Sequence, residues 1–226
     1  MTKEDYVIIC GDFGGVWNKE MENKEEKHLL DWLEEKPFTT LFVDGNHENF
    51  DRLYSYPVEL WHGGKVHKIR PSVIHLMRGQ IYEIDGKSFF TFGGASSHDI
   101  ESGILDPEDP DFKEKKKWLD REWRSYRVNH ITWWAQELPS EKEMQEGRAN
   151  LAVHDNQVDF IVTHCCATST QMLIDVQKLK PDIETDYLEE IKQTIQFKKW
   201  FFGHYHDNRN VSKKEILIYE QFVGIE

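Results

Sequence analysis

Six residues could do chemistry together: Asp12, Asn46, His47, His164, His204 and His206. All stand in short polar loops that follow apolar runs. GD (11–12) comes after VIIC, GNHE (45–48) just after TLFV, TH (163–164) within DFIVTH, and GHYH (203–206) after KWFF. Glycine lets a chain turn sharply beside a ligand, and two His two residues apart can face one site. Carboxylate, amide oxygen and neutral imidazole together suit borderline divalent ions such as Mn²⁺, Fe²⁺, Zn²⁺ or Ni²⁺. Singly each motif says little, because a lone His on an apolar strand is more often a satisfied core residue. Their order and strand context carry the reading, which is a metal site assembled from across the chain.

Such a site needs a sheet to hold it. Buried parallel strands read as short continuous apolar runs, and ligands in open α/β sheets sit beyond the strands' carboxyl ends. Residues 5–10 read as a strand, 22–34 as a helix with Leu29, Leu30 and Leu33 on one face, and TTLFV (39–43) as the next strand. Pro37 closes that helix, and the strand-helix-strand order predicts a parallel pair. From Lys65 to Gly94, KVHKIR, SVIHLM, QIYEID and KSFFTFGG predict an antiparallel section forming a second sheet, with Asp85-Gly86 as a hairpin turn. Residues 99–112 read as a surface loop. In the basic, Trp-rich segment 113–135, Trp118, Leu119, Trp123 and Tyr126 are expected to pack as a helical stripe. Ser140 and Glu143 have capping-box spacing and predict a helix of about a dozen residues. A strand at 158–163, a helix near 185–196, KWFF and a final strand EILIYEQFV complete the chain.

At 226 residues, with eight Trp and thirteen Phe, the chain fits one large α/β domain with a substantial core. A formal net charge of −13 disfavours an extended nucleic-acid surface, which needs clustered Lys and Arg. A small phosphorylated substrate is compatible, because bound cations would dominate the local charge. Three cysteines, Cys10 and the adjacent Cys165 and Cys166, do not make a disulfide framework and point to a reducing cytoplasm. Adjacent residues on an extended loop point in opposite directions, so Cys165 and Cys166 are expected to be small, semi-buried bystanders. No long apolar run or signal-peptide pattern occurs, so no membrane partner is expected.

The ordered set resembles the signature of the calcineurin-like metallophosphoesterases, which runs D-x-H, G-D-x-x-[D/N/G], G-N-H-[D/E], a His before a small loop, and G-H-x-H. GDFGG (11–15), GNHE, TH and GHYH match it over nearly the whole chain. GGASSHD (93–99) and WWAQE (133–137) look like segments of bacterial and phage-associated members. The resemblance implies an α/β fold, a four-layer αββα sandwich of two mixed β-sheets flanked by helices. It also implies a single domain over 1–226, with about 95–150 as a cap or specificity insertion. Asp12 would bridge two divalent metal ions. Asn46, His164 and His204 would complete the second metal's shell, and His206 would serve the first. His47 would stabilise or protonate the leaving oxygen. Two ions about 3.5–4 Å apart hold a bridging hydroxide and clamp the phosphoryl oxygens during in-line attack. The implied substrate is a phosphomonoester or phosphodiester of a small molecule or nucleotide. His98 and Asp99 are expected near that substrate rather than among the ligands, with His62 and His67 also in play.

The D-x-H motif has no match: MTKEDYVIICG holds Asp5 but no His, and Asp5 precedes the strand. Two explanations compete. The chain is shortened, with the first strand upstream and now missing, or a diverged member has lost the first metal. Shortening is the expectation. If the polypeptide begins at Met1, the first metal keeps Asp12 and His206, and only one ion is expected to load. An exposed apolar edge would then lower stability. Two alternatives to hydrolysis follow: a non-catalytic metal- or phosphate-binding module, and a nuclease whose segment 113–127 contacts nucleic acid.

Overall fold

Strands that are apolar at every position need cover on both faces, and here two stacked sheets with helices outside supply it. The structure is a computed structural model that describes residues 1–174 and 180–225. The first sheet contains β1 (Tyr6–Ile9), β2 (Thr39–Phe42), β3 (Val58–Trp61), β4 (Gly64–Arg70) and β5 (Val73–Leu76), in the order β1-β2-β5-β4-β3. β1, β2 and β5 are parallel, and β4 is antiparallel to both its neighbours. The second sheet begins with the hairpin β6 (Gln80–Ile84) and β7 (Lys87–Phe92). A separate parallel ribbon of β8 (Ile104–Leu105) and β9 (Arg127–Val128) follows in the chain. The second sheet then resumes with β10 (Phe160–Thr163), β11 (Lys199–Phe202), β12 (Arg209–Asn210) and β13 (Glu215–Leu217), ordered β12-β13-β11-β10-β7-β6. Its four inner strands are parallel and its two edges antiparallel.

Strand periodicity sorts the core into layers. Leu41, Val66, Ile74 and Leu76 face Tyr82, Phe89, Phe160, Val162 and Phe201 between the sheets. Their neighbours Phe42 and Val73 face outward, onto Leu30 and Leu33 of α1 (Lys24–Glu34) and Leu53 of α2 (Phe50–Leu53). After the short, peripheral α3 (Phe112–Arg121), α4 (Glu141–Val153) supplies Met144 and Leu151 to the outer face of the second sheet. Following α5 (Thr168–Ile174), α6 (Ile183–Thr194) adds Tyr187, Leu188 and Ile191 there. The result is the expected αββα sandwich.

Several local expectations hold. Asp85 and Gly86 both take positive φ (52° and 68°), as a type I′ hairpin requires. Ser140 and Glu143 form the reciprocal capping box of α4. Others need correction. The antiparallel section is divided: β4 and β5 complete the first sheet and β6 and β7 start the second. The chain crosses between them at Gly79 (φ +72°), where a Cβ would press on the α4 backbone at Gly147. In α1 the buried stripe is Glu26, Leu30 and Leu33, while Leu29, one residue (about 100°) around from Leu30, is exposed. The Trp stripe does not pack. Leu119 is buried but Trp118 is half exposed, and Trp123 is 93% exposed because α3 ends before it. The last strand stops at Leu217. Among the described residues no helix is long and apolar enough to cross a membrane.

Candidate metal centre

The loops after β1, β2, β10 and β11 meet at one rim. They approach closely because glycines stand at the crossings. A Cβ on Gly45 would strike the Asp12 carboxylate, and one on Gly11 (φ +94°) would strike the His164 ring. Asp12, His204 and His206 themselves adopt left-handed backbone (φ 51°, 68° and 49°), a conformation that non-glycine residues hold only when their surroundings dictate it.

His164 is the centre of the arrangement. It is buried, and its Nδ1 lies 2.7 Å from the Cys10 carbonyl oxygen. A carbonyl only accepts, so Nδ1 carries a proton and Nε2 is the face turned to the site. Nε2 lies 3.3 Å from Asp12 Oδ1 and 3.4 Å from Asn46 Oδ1. One imidazole nitrogen and two oxygens therefore converge, and the oxygens bring no proton of their own. Burial disfavours a charged His164, yet Asp12 and the Cys10 carbonyl outweigh it and raise its pKa. Burial likewise opposes ionisation of Asp12, but His164 and His47 hold its carboxyl below the usual range. Surroundings that draw a proton onto His164 also draw a metal cation, so the donor set fits one, and the Cys10 bond fixes the imidazole in the way carbonyls behind metal-binding histidines do.

The remaining expected residues are held differently. The His204 ring packs edge-on against His164 with centroids 5.0 Å apart, and its Nε2 lies 2.8 Å from Nε2 of His98. Burial, then the neighbouring His164 and His98, push its pKa well down, leaving a neutral imidazole. His206 is exposed and stacks on Tyr219 with centroids 4.8 Å apart. His47 donates its backbone N–H to Asp12 Oδ1 at 3.0 Å, and its half-buried ring has its pKa lowered by burial. Among the described residues no three His, Cys, Asp or Glu side chains form one metal-holding group; the convergent triple includes the Asn46 amide.

Sequence reasoning expected His98 near the substrate; the structure places it at the same rim, its Nε2 against that of His204, a contact the sequence did not indicate. It missed the groups that brace the GNHE loop. Asp44 is fully buried between Arg78 (Nε 2.9 Å) and His75 (Nε2 3.0 Å). Glu48 is also fully buried; its Oε1 accepts the Phe13 N–H at 2.8 Å, and burial with Asp12 and Asp44 nearby raises its pKa strongly. Ser97 and Glu137 sit behind Asn46. GGASSHD and WWAQE were the available signal, without a role attached. Cys165 and Cys166 do not diverge: both thiols approach the Tyr205 hydroxyl, at 3.1 and 3.4 Å, because the loop there is bent rather than extended. His62 and His67 lie elsewhere, against the Glu83 carbonyl and His75 respectively.

A family model described as calcineurin-like phosphoesterase matches residues 2–208. A comparison with curated proteins gave no match.

Proposed function

The chain belongs to the calcineurin-like phosphoesterase family, and from that premise we propose that it hydrolyses a phosphomonoester or phosphodiester of a small molecule or nucleotide at two divalent ions. Metal-dependent phosphoester hydrolysis is what membership carries. The observation that most supports its retention here is His164, turned by the Cys10 carbonyl so that Nε2 meets the oxygens of Asp12 and Asn46. When bound, Mn²⁺, Fe²⁺, Zn²⁺ or Ni²⁺ would neutralise phosphoryl oxygens and lower the pKa of the attacking water. Asp12 would hold both ions, Asn46, His164 and His204 one of them, and His206 the other. Asn46 and His164 lie in buried positions that keep bulk water from competing for the cation. His47, anchored through its N–H to Asp12, would hand a proton to the leaving oxygen. Residues 95–150, which bring His98 and the Asp99–Arg127 ion pair (2.7 Å) to the rim, would set specificity within a single domain. Free thiols at Cys10, Cys165 and Cys166 support a reducing compartment.

The test is Mn²⁺-dependent turnover of p-nitrophenyl phosphate and its bis ester by native chain, Asp12→Asn and His204→Ala. Loss in both variants is expected; full activity in both sinks the reading. A second reading, a metal- or phosphate-binding module without turnover, draws on His206 being stacked on Tyr219 rather than on the cluster. Metal analysis separates them: about two ions per chain with turnover favours the enzyme, whereas one ion or none without turnover favours the module.

A further inference from the structure

Asn46 is the one proposed ligand whose two ends differ in chemistry: its oxygen attracts a cation and its NH₂ repels one. Its Oδ1 lies 3.4 Å from His164 Nε2, and its Nδ2 lies 3.3 Å from Ser97 Oγ. Asn46 and Ser97 are both buried, so the choice of end falls to their protein partners. The Ser97 hydroxyl proton decides it. That hydroxyl donates to Glu137 Oε2 at 2.7 Å, and the Ser97 backbone N–H donates to Oε1 at 2.9 Å. Trp133 Nε1–H adds a second donor to Oε1, at 2.7 Å. With its proton committed to the carboxylate, Ser97 offers only lone pairs to Asn46, and only the NH₂ end can meet them.

We propose that Ser97 and Glu137 are positioning residues that hold the Asn46 amide with its oxygen toward His164 and Asp12, and so set the site's affinity for a divalent cation. The proposal rests on the metal-site reading above. It also ties GGASSHD and WWAQE to GNHE. Backbone bonds keep the three segments in register, Gly94 N–H to the Asp44 carbonyl at 2.9 Å and Ala95 N–H to the Glu137 carbonyl at 3.1 Å.

Glu137→Gln is nearly isosteric and reverses the relay. Two N–H donors at the Oε1 position select the amide oxygen there, which leaves the new NH₂ facing Ser97. Ser97 then turns its proton toward Asn46, whose oxygen rotates to accept it, and the Asn46 NH₂ points at the metal position. Asn46→Asp, with two equivalent oxygens, is indifferent to that reversal.

Isothermal titration with MnCl₂ of the native chain, Glu137→Gln, Asn46→Asp and the double variant is the test. Glu137→Gln is expected to weaken binding about 10- to 100-fold, the usual scale for groups that orient a ligand. Asn46→Asp is expected to restore binding in the Glu137→Gln background while giving no comparable gain in the native one. Native-like binding by Glu137→Gln overturns the proposal, as does an equal gain from Asn46→Asp in both backgrounds, which would reflect charge alone. A metal-free readout runs beside it: nuclear Overhauser contacts from the Asn46 NH₂ to the Ser97 β-protons are expected in the native chain and lost in Glu137→Gln. Their persistence in Glu137→Gln would also overturn it. If the native chain takes up no Mn²⁺, the functional reading fails, and the NMR comparison still decides the amide's orientation.

Discussion

The two halves of the rim are built to different standards. The half contributed by the GNHE loop and His164 is locked by buried bonds: His164 to the Cys10 carbonyl, Asn46 to Ser97, and Asp44 between Arg78 and His75. In the half contributed by GHYH the loop itself is tied down, by Gly203 N–H to the His164 carbonyl and by the Tyr205 hydroxyl to the Cys165 and Cys166 thiols. Its histidine rings, however, are placed by packing, His204 against His164 and His206 against Tyr219, and His204 Nε2 meets the exposed His98. An imidazole tied through one nitrogen to a buried carbonyl, as His164 is, keeps its direction, whereas a ring that is only stacked, as His206 is, or tied to an exposed side chain, as His204 is, can turn. On the proposed metal-site reading, the locked half would be where binding energy is preorganised, and the stacked half where the site would adjust.

The sharpest way to break this contrast is His164→Ala. It should lower kcat/KM on the order of a thousandfold, comparable to removing a key charge-stabilising group, and a loss below tenfold would erase the distinction. Next comes Arg78→Met, which leaves Asp44 with His75 alone. Urea denaturation should show a loss of roughly 3–4 kcal/mol, within the range for breaking a buried ion pair; a change below about 1 kcal/mol would mean that Asp44 is not braced as described.

The buried His67–His75 pair, Nδ1 to Nδ1 at 3.0 Å, links that brace to pH. Burial, then His75, lowers His67 to about 4. The unfolded chain, with an ordinary His near 6.5, binds more protons between those values. The stability that a neutral His67 contributes is therefore complete above about pH 6.5 and lost as pH falls toward 4. The full loss is about 3 kcal/mol. His67→Gln should flatten the stability–pH curve in that window, and an unchanged slope would remove His67 as its source.

On the stacked side, His206→Ala should cost only about tenfold in kcat/KM, the scale of one weakly preorganised contact; a loss as large as that of His164→Ala would make the halves equal. Smallest of all, Trp123→Ala, remote from packing, should change stability by less than about 0.5 kcal/mol. A larger drop in Tm would show that Trp123 is covered after all.

Legibility followed the range of the physics. Asp85-Gly86 and the Ser140–Glu143 box could be read because a turn and a cap are made by residues within three positions of one another. Gly11, Gly45 and Gly203 could be read as ligand-loop punctuation for the same reason. The division of β4–β7 between sheets was not legible, since an apolar strand carries no mark of which sheet it joins. Nor was the exposure of Trp118 and Trp123: a helical stripe specifies a face but not whether anything lies against it.

From the sequence alone came the order of the strand-end loops and the polar side-chain types of Asp12, Asn46, His164, His204 and His206, which are properties of residue type and local spacing; the family and its layered fold came through the resemblance those motifs carry. The tertiary structure alone decided that His164 faces the site through Nε2, that His98 meets His204, that His206 lies on Tyr219, and that Ser97 and Glu137 stand behind Asn46. Each of these depends on groups about 40 to 150 residues apart, or on one ring choosing between neighbours. A hydrogen bond's direction is settled by the partner it meets, and the chain meets those partners only when folded.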